Sequence, residues 1–382
     1  AHVAKFNFHR TIMMKTPLLS ALFILVLLQA CSVLRSPVRE KEPFSVIAYY
    51  ARPGDDLDQY KWDQLTHVIY SFCHLKGNEL AVDDAGDSLT IRKLVALKQQ
   101  YPHLKVQLSL GGWGGCKMCS EVFSTEKGRA DFAASVARLL KEYHTDGIDL
   151  DWEYPAIEGY PEHPYMPEDR RNFTLLVEAL RRVLGPRYEI SFAAGGFATF
   201  FDRSIEWGAV MPLLDRVNLM SYDLVSGYST VTGHHTPLYS SPGQEVSADF
   251  GVQYLEKLGV PKQKIVIGAA FYARTWEQVA DVNHGLYQSG KFKQFVPYDA
   301  FEKTISAEKG FVFYRDSIAG APYAYSAEQK QFATFDDAVS VALKTKYARE
   351  RGLGGIMFWQ LRGDRPEKGL LQAISNENKP KQ

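Results

Sequence analysis

The sequence predicts an α/β fold, a (β/α)8 TIM barrel carrying a small α+β insertion between its seventh and eighth strands. Three observations lead there. Eight short runs rich in Val, Ile and aromatic residues recur: Ser45–Ala51, His67–Leu75, Lys105–Trp113, Gly147–Pro155, Glu189–Phe197, Arg216–Leu224, Lys264–Arg274 and Gly355–Gly363. Helical patterns fall between most of them, at Ser88–Tyr101, Gly128–Tyr143, Glu168–Leu184, Ser247–Leu258 and Asp336–Arg351. Strands alternating with helices of this kind build parallel sheets from βα units. The strands also read as near-continuous apolar runs, as parallel strands packed on both faces should. Eight such units in a chain of this length suggest the barrel.

The N-terminal part reads as a targeting segment. Lys15 precedes an apolar run from Leu18 to Leu28, followed by Gln29-Ala30-Cys31-Ser32. A short charged region, an h-region of that length and a small residue before a cleavage point are the marks of a secretory signal. About eleven apolar residues are too few to span a bilayer as a helix. The ending resembles a bacterial lipobox, which implies lipidation of Cys31; an ordinary signal peptide with an incidental cysteine is the alternative. Met13-Met14 sit just before Lys15, so residues 1 to 13 read as an upstream extension. The expected layout is therefore an extension and signal over 1–31, a tether over 32–43, a catalytic barrel over 44–376 and an insertion over 275–335. The protein is expected to be exported, either as a cell-envelope lipoprotein, outer-membrane sorted, or secreted.

Composition narrows the partners. Lys+Arg and Asp+Glu both number 44, and no basic run is present, so nucleic acid is not an expected partner. Aromatic residues make up 13% of the chain; they fit both a large core and a groove in which rings stack on sugars. Beyond Cys31 there remain Cys73, Cys116 and Cys119. Two clustered cysteines without a nearby His pair cannot close a zinc site. A local Cys116–Cys119 disulfide leaving Cys73 free is expected in an exported protein, with pairing to Cys73 left open.

Within the first helix, Leu89, Leu94, Val95, Leu97 and Lys98 trace a 3.6-residue period, with Ser88 as the expected N-cap. One gap between strands is too long for a βα repeat. Between Arg274 and the helix starting at Asp336 lie about 60 residues, including Phe295-Val-Pro-Tyr298 and Gly310-Phe-Val-Phe-Tyr-Arg315. Their mix of short strands and turns suggests the insertion, and long insertions in compact domains are commonly functional.

The chemistry concentrates in Asp146–Pro155, DGIDLDWEYP. Ile148, Leu150 and Trp152 alternate with Asp149, Asp151 and Glu153, so a strand here carries three acids on one face. Same-face neighbours sit about 6.6 Å apart at about 3.3 Å per residue. Two ionised carboxylates at that separation repel by roughly 2.5 kcal/mol at an effective dielectric of about 20. That repulsion lifts a Glu from about 4.3 to about 6, where a general acid works. A solvated acidic face or a hard-cation site is the plainer alternative.

In a barrel the reacting groups belong at the C-terminal strand ends. There the sequence places Tyr49 on strand one, Phe72 on strand two, Ser109-Leu-Gly-Gly112-Trp113 after strand three and Glu153-Tyr154-Pro155 after strand four. Met220-Ser-Tyr222-Asp223 ends strand six, Tyr272-Ala-Arg274 ends strand seven, and Trp359 ends strand eight.

These motifs together resemble glycoside hydrolase family 18, the chitinase family. DGIDLDWEYP is similar to its DxxDxDxE signature, supported by SLGG at 109–112, MSYD at 220–223, YAR at 272–274 and GGIMFWQL at 354–361. The resemblance covers roughly residues 45 to 370. It implies Glu153 as proton donor, Asp151 as the residue bracing the substrate's acetamido group, Asp149 beneath it sharing a proton, and Tyr222 and Asp223 assisting. It implies Trp359 as the floor of the sugar site before the cleaved bond. Tyr49, Phe72, Gly112, Trp113, Tyr154, Met220, Tyr272 and Arg274 would line the groove. Ala273 and Gln360 depart from the common pattern, where Gly and Glu are usual, and could change subsite shape.

All three acids lie on one strand, and no second carboxylate on an opposite wall is evident. Ordinary glycosidases flank the bond with two, so the 2-acetamido carbonyl of the substrate is the expected nucleophile. The expected activity is hydrolysis of β-1,4 bonds between N-acetylglucosamine units by a retaining, substrate-assisted route, with no metal or organic cofactor. The expected partners are chitin or its oligosaccharides, with membrane contact only through the lipid anchor and a monomeric chain. The alternatives are an endo-β-N-acetylglucosaminidase acting on N-glycans and a sugar-binding lectin on the same fold.

Overall fold

The computed structural model describes residues 44–51 and 53–379, together with Ala4. The signal, the lipobox and the tether predicted from sequence lie outside the described residues.

Eight parallel strands close into a barrel: β1 (Ser45–Ala51), β2 (His67–Lys76), β4 (Lys105–Gly111), β5 (Gly147–Asp151), β6 (Glu189–Gly195), β7 (Arg216–Met220), β8 (Ile265–Ala270) and β14 (Gly355–Trp359). Their spatial order is β1-β14-β8-β7-β6-β5-β4-β2, and β2 pairs back to β1 to complete the ring. A short strand β3 (Glu79–Ala81) folds antiparallel onto the end of β2. This is the predicted (β/α)8 barrel.

The helices follow from the sequence periodicity. In the helix Asp169–Leu184, Phe173, Leu176, Val177, Leu180 and Leu184 are buried, an i, i+3, i+4, i+7 stripe facing the sheet. Side-chain caps set several helix starts: Thr125 accepts from Gly128 N, Ser247 from Phe250 N and Asp337 from Ser340 N, satisfying donors that the first turn leaves free. The first helix starts earlier than predicted. Asp84 rather than Ser88 caps Ala85–Ala96. Ser88 instead lies within that helix, its hydroxyl 2.8 Å from that of Tyr143. Leu89, read as part of the apolar stripe, is 54% exposed. A short helix, Cys119–Ser124, and the C-terminal Leu370–Asn378 were not foreseen.

The apolar interior has two layers. One lies between sheet and helices; the other fills the barrel itself with Ile47, Ile69, Val266 and Met357 among others. The insertion is a five-stranded antiparallel sheet in the order β10-β9-β13-β12-β11. Its strands are β9 (Tyr272–Glu277), β10 (Lys291–Pro297), β11 (Val312–Asp316), β12 (Ala321–Ser326) and β13 (Gln331–Phe335). The sheet begins at Tyr272 rather than at 275. Strand β8 ends at Ala270, so Tyr272 and Arg274 belong to the first strand of the insertion and not to the barrel. Ala273 points into the insertion's own core with Val296, Phe301 and Phe335, and Gln360 accepts a 3.1 Å hydrogen bond from Ala51 N.

Cys116 and Cys119 form a disulfide, and Cys73 is free and buried. Among the described residues no helix is long and apolar enough to cross a membrane. Nor is any group of three or more His, Cys, Asp or Glu placed to hold a metal ion.

Candidate active site

Parallel pairing puts all eight strand ends at one face of the barrel. A cleft of about 740 Å³ opens there, within the size range of ligand sites. Eleven of the groups singled out from sequence reach it: Phe72, Trp113, Asp151, Glu153, Tyr154, Met220, Tyr222, Asp223, Tyr272, Arg274 and Trp359.

The acid triplet is arranged by depth. Asp149 sits inside the barrel and is fully buried. Its carboxylate accepts from Ser191 Oγ at 2.7 Å and Asn218 Nδ2 at 3.1 Å on one oxygen. The other oxygen accepts from Ser109 Oγ at 3.0 Å and Tyr49 Oη at 3.1 Å. Register explains the convergence, because Ser109 and Ser191 stand directly beside Asp149 on the neighbouring strands. Burial raises the pKa of Asp149, and these four hydrogen bonds oppose it.

Asp151, the last residue of β5, is buried, and its Oδ1 has no hydrogen-bond partner. Its pKa is pushed well up, first by burial and then by the charges of Glu153 and Asp149. Glu153 lies two residues past the strand end, partly buried in the cleft wall. It is pushed up to about 7, chiefly by burial, with the Asp223 charge adding and hydrogen bonds from Tyr154 and Asp151 opposing. The pair therefore retains a proton near neutrality.

Two expectations change here. The strand ends at Asp151 rather than Pro155, so Glu153 is carried on the loop. Burial, rather than repulsion between strand neighbours, is the leading cause of the raised Glu153; the like charge acting on it is Asp223, and Asp151 acts on it as a hydrogen-bond partner.

Tyr222 lies in the wall with its hydroxyl 3.8 Å from the Met357 sulfur, a weak acceptor that leaves it available to a ligand. Asp223 is held by Arg274 through both carboxylate oxygens and by Tyr272 Oη at 2.8 Å. Burial alone would raise Asp223, but the Arg274 and His235 hydrogen bonds hold it below the usual carboxylate range. Arg274, read from sequence as a groove-lining cation, thus spends its guanidinium on a fork-to-fork ion pair that ties the insertion to the barrel loop.

One end of the cleft is floored by Trp359, against which Phe72 stacks with ring centroids 5.7 Å apart and planes at 16°. Trp113, also in the cleft lining, is 46% exposed, with ring centroids 6.4 Å from Tyr154 and 6.2 Å from Tyr228. Tyr49 and Gly112 are placed behind the wall. The Tyr49 hydroxyl serves Asp149, while its ring lies 6.0 Å from Trp359. Gly112 has φ +78, and a Cβ there would lie 2.3 Å from the Phe72 ring. Gly111, at φ +102, would strike the Asp151 carbonyl oxygen at 2.4 Å. The two glycines let this turn pass between the acid and the aromatic floor.

Sequence reasoning missed Phe197, Tyr228, Phe292 and Phe295, all of which line the cleft. Phe292 and Phe295 lie on β10, and Phe295 stacks on Tyr272 at 4.6 Å. Aromatics in a charged strand, Lys-Phe-Lys-Gln-Phe, were the available signal.

Among known proteins, the chain is 35% identical over 300 residues to Chitinase A1 of Niallia circulans, covering 72% of this chain and 43% of that protein. It is 31% identical over 339 residues to the oviduct-specific glycoprotein of Papio anubis, covering 82% of this chain and 52% of that protein. It therefore spans about half the length of these curated relatives. Among solved structures, a glycoside hydrolase family 18 N-acetylglucosaminidase from Paenibacillus barengoltzii aligns with a TM-score of 0.79 at 36% identity. That alignment covers 87% of this chain and 99% of that one. The family model "Glycosyl hydrolases family 18" matches residues 45–364, and the chain belongs to that family.

Proposed function

We propose that this protein is a chitinase, hydrolysing β-1,4 bonds between N-acetylglucosamine units with retention of configuration. The observation that carries the proposal is the Asp151–Glu153 pair: a carboxyl protonated near neutrality at the cleft wall, beside a buried carboxylate oxygen that has no donor. In this reading Glu153 gives its proton to the glycosidic oxygen as the C1–O bond breaks. The substrate's own acetamido oxygen attacks C1 to form an oxazolinium, the substrate-assisted route for which this family is known. Asp151 accepts the acetamido N–H and balances the charge that develops there, and Asp149 supports it from beneath. Tyr222 donates to the acetamido oxygen. Water then opens the ring, with ionised Glu153 taking its proton. Trp359 stacks under the sugar on the non-reducing side of the bond, and Trp113 contacts the leaving group.

The presence of Glu153 argues against a purely sugar-binding role. N-acetylglucosaminidase action is a second reading, favoured by the likeness to the Paenibacillus enzyme over nearly its whole length. The test sets purified protein against chitin oligosaccharides and a high-mannose glycopeptide side by side, following products and their first-formed anomer. Internal cleavage of the oligosaccharides to β-anomers supports the chitinase. Release of single sugars, or cleavage of the glycopeptide alone, supports the second reading, and no release from any substrate overturns both. We also propose that the chain acts as a monomer outside the cytoplasm, anchored through Cys31; the lipobox-like sequence alone supports the anchor.

A further inference from the structure

We propose that His235 is a positioning residue for the cleft, holding Asp223 in a left-handed backbone conformation in the cleft wall that it shares with Glu153. Asp223 has φ +56. Among the described residues it is the one non-glycine residue lining the cleft with a positive φ, a conformation that neighbours must hold in place.

His235 grips this turn on both sides. Its Nδ1 lies 3.4 Å from the Asp223 amide nitrogen and 3.5 Å from Asp223 Oδ1. Its carbonyl accepts from Leu224 N at 3.0 Å. In one tautomer the ring receives the Asp223 N–H, and in the other it donates to the carboxylate, so the imidazole engages Asp223 either way.

The ring is fully buried, and its Nε2 has no partner. The groups acting on it are Asp223 from the loop after β7, Tyr272 and Arg274 from β9, and Asp336 after β13, with the Tyr272 ring 5.1 Å away. Its own amide donates to Thr334 Oγ1 at 3.1 Å, and Thr334 stands opposite Arg274 in the insertion sheet. Every grip on Asp223, by Arg274, Tyr272 or His235, is thus referred to the insertion. That gives the insertion a task besides walling the cleft, because the Asp223 charge is one of the influences on the proton of Glu153.

The inference rests on the hydrolase reading above. Steady-state kinetics of the full chain on a soluble chitin oligosaccharide test it, with His235→Leu and His235→Gln compared across pH. His235→Leu is expected to lower kcat on the order of tenfold or more, as small misplacements of reacting groups do. It should leave KM within about twofold and move the alkaline limb of the kcat profile to lower pH. Gln can meet both the amide and the carboxylate and should recover most of the loss. A folded His235→Leu protein with wild-type kcat and an unmoved limb overturns the proposal, and so does a Gln variant as impaired as Leu. Should His235→Leu not fold, Thr334→Val decides. A reduced kcat with the same shift of the limb supports the proposal, and wild-type behaviour overturns it. Wild-type protein that cleaves no oligosaccharide refutes the hydrolase reading itself, which separates that failure from failure of the inference.

Discussion

Raising the pH through 7 should switch off hydrolysis through a single proton on Glu153. The group is held at about 7 against an ordinary 4.5. At pH 7 about half of the molecules then carry the proton, against roughly 0.3% for an ordinary glutamic acid, a gain of roughly 150-fold in active enzyme. The sign follows from the role: a proton donor works only when protonated, so activity is full below the pKa and falls about tenfold per unit above it. Initial rates on a chitin oligosaccharide between pH 4 and 10, read as kcat and as kcat/KM, should show an alkaline limb centred near 7. Glu153→Gln keeps the shape and removes the transferable proton. It should cost about 10²–10⁴-fold in kcat and abolish the limb, while oligosaccharide binding is largely kept. A limb near 4.5, or a rate that holds up to pH 9, would refute burial as the source of the activated acid. Activity of the Gln variant within a few-fold of wild type would remove Glu153 from the donor role.

Three further outcomes are expected. Asp151→Ala should lower the rate severely, and a thiazoline analogue of the oxazolinium should inhibit; trapping of a covalent sugar ester on a carboxylate by a fluoro-sugar reagent would contradict this route. At the opposite end of the barrel, burial would raise Glu189, but the 3.1 Å His67 bond and the Arg216 charge hold it well below the carboxylate range. His67 is pushed down to about 4, first by burial and then by Arg216. Stability from His67 is complete above about 6.5 and is lost as pH falls toward about 4; that from Glu189 is lost below about 4.5. Thermal melts should therefore weaken on acidification, and Glu189→Gln should cost roughly 2–3 kcal/mol at neutral pH; unchanged melting would mean that the cluster contributes nothing net. Cys31→Ser should yield soluble or unprocessed protein with unchanged catalysis, and recovery of wild-type protein from the medium with an N-terminus beyond Cys31 would rule out the anchor.

What the sequence determined by itself is what depends on local order. Strand and helix periods are properties of consecutive residues, so eight strands and five helices could be read directly, as could the acid alternation from Asp149 to Glu153. The strand ends that supply Trp113, Tyr222 and Trp359 were legible because parallel topology sends every C-terminal strand end to one face. Three matters waited on the tertiary structure. The four partners of Asp149 come from four other strands, and no spacing in the chain reveals that Ser191, Asn218, Ser109 and Tyr49 meet in one layer. The membership of Tyr272 and Arg274 depended on antiparallel pairing with β10 and β13, while a local reading sees only an apolar run continuing from β8. The cause of the raised Glu153 pKa was also hidden, since strand geometry supplies a distance between neighbouring acids but not the enclosure around them. Burial and the Asp223 charge act on Glu153 only in the assembled cleft, which residues from the loops after β5 and β7 line together. Desolvation is a property of what surrounds a group in space, and chain order does not record it.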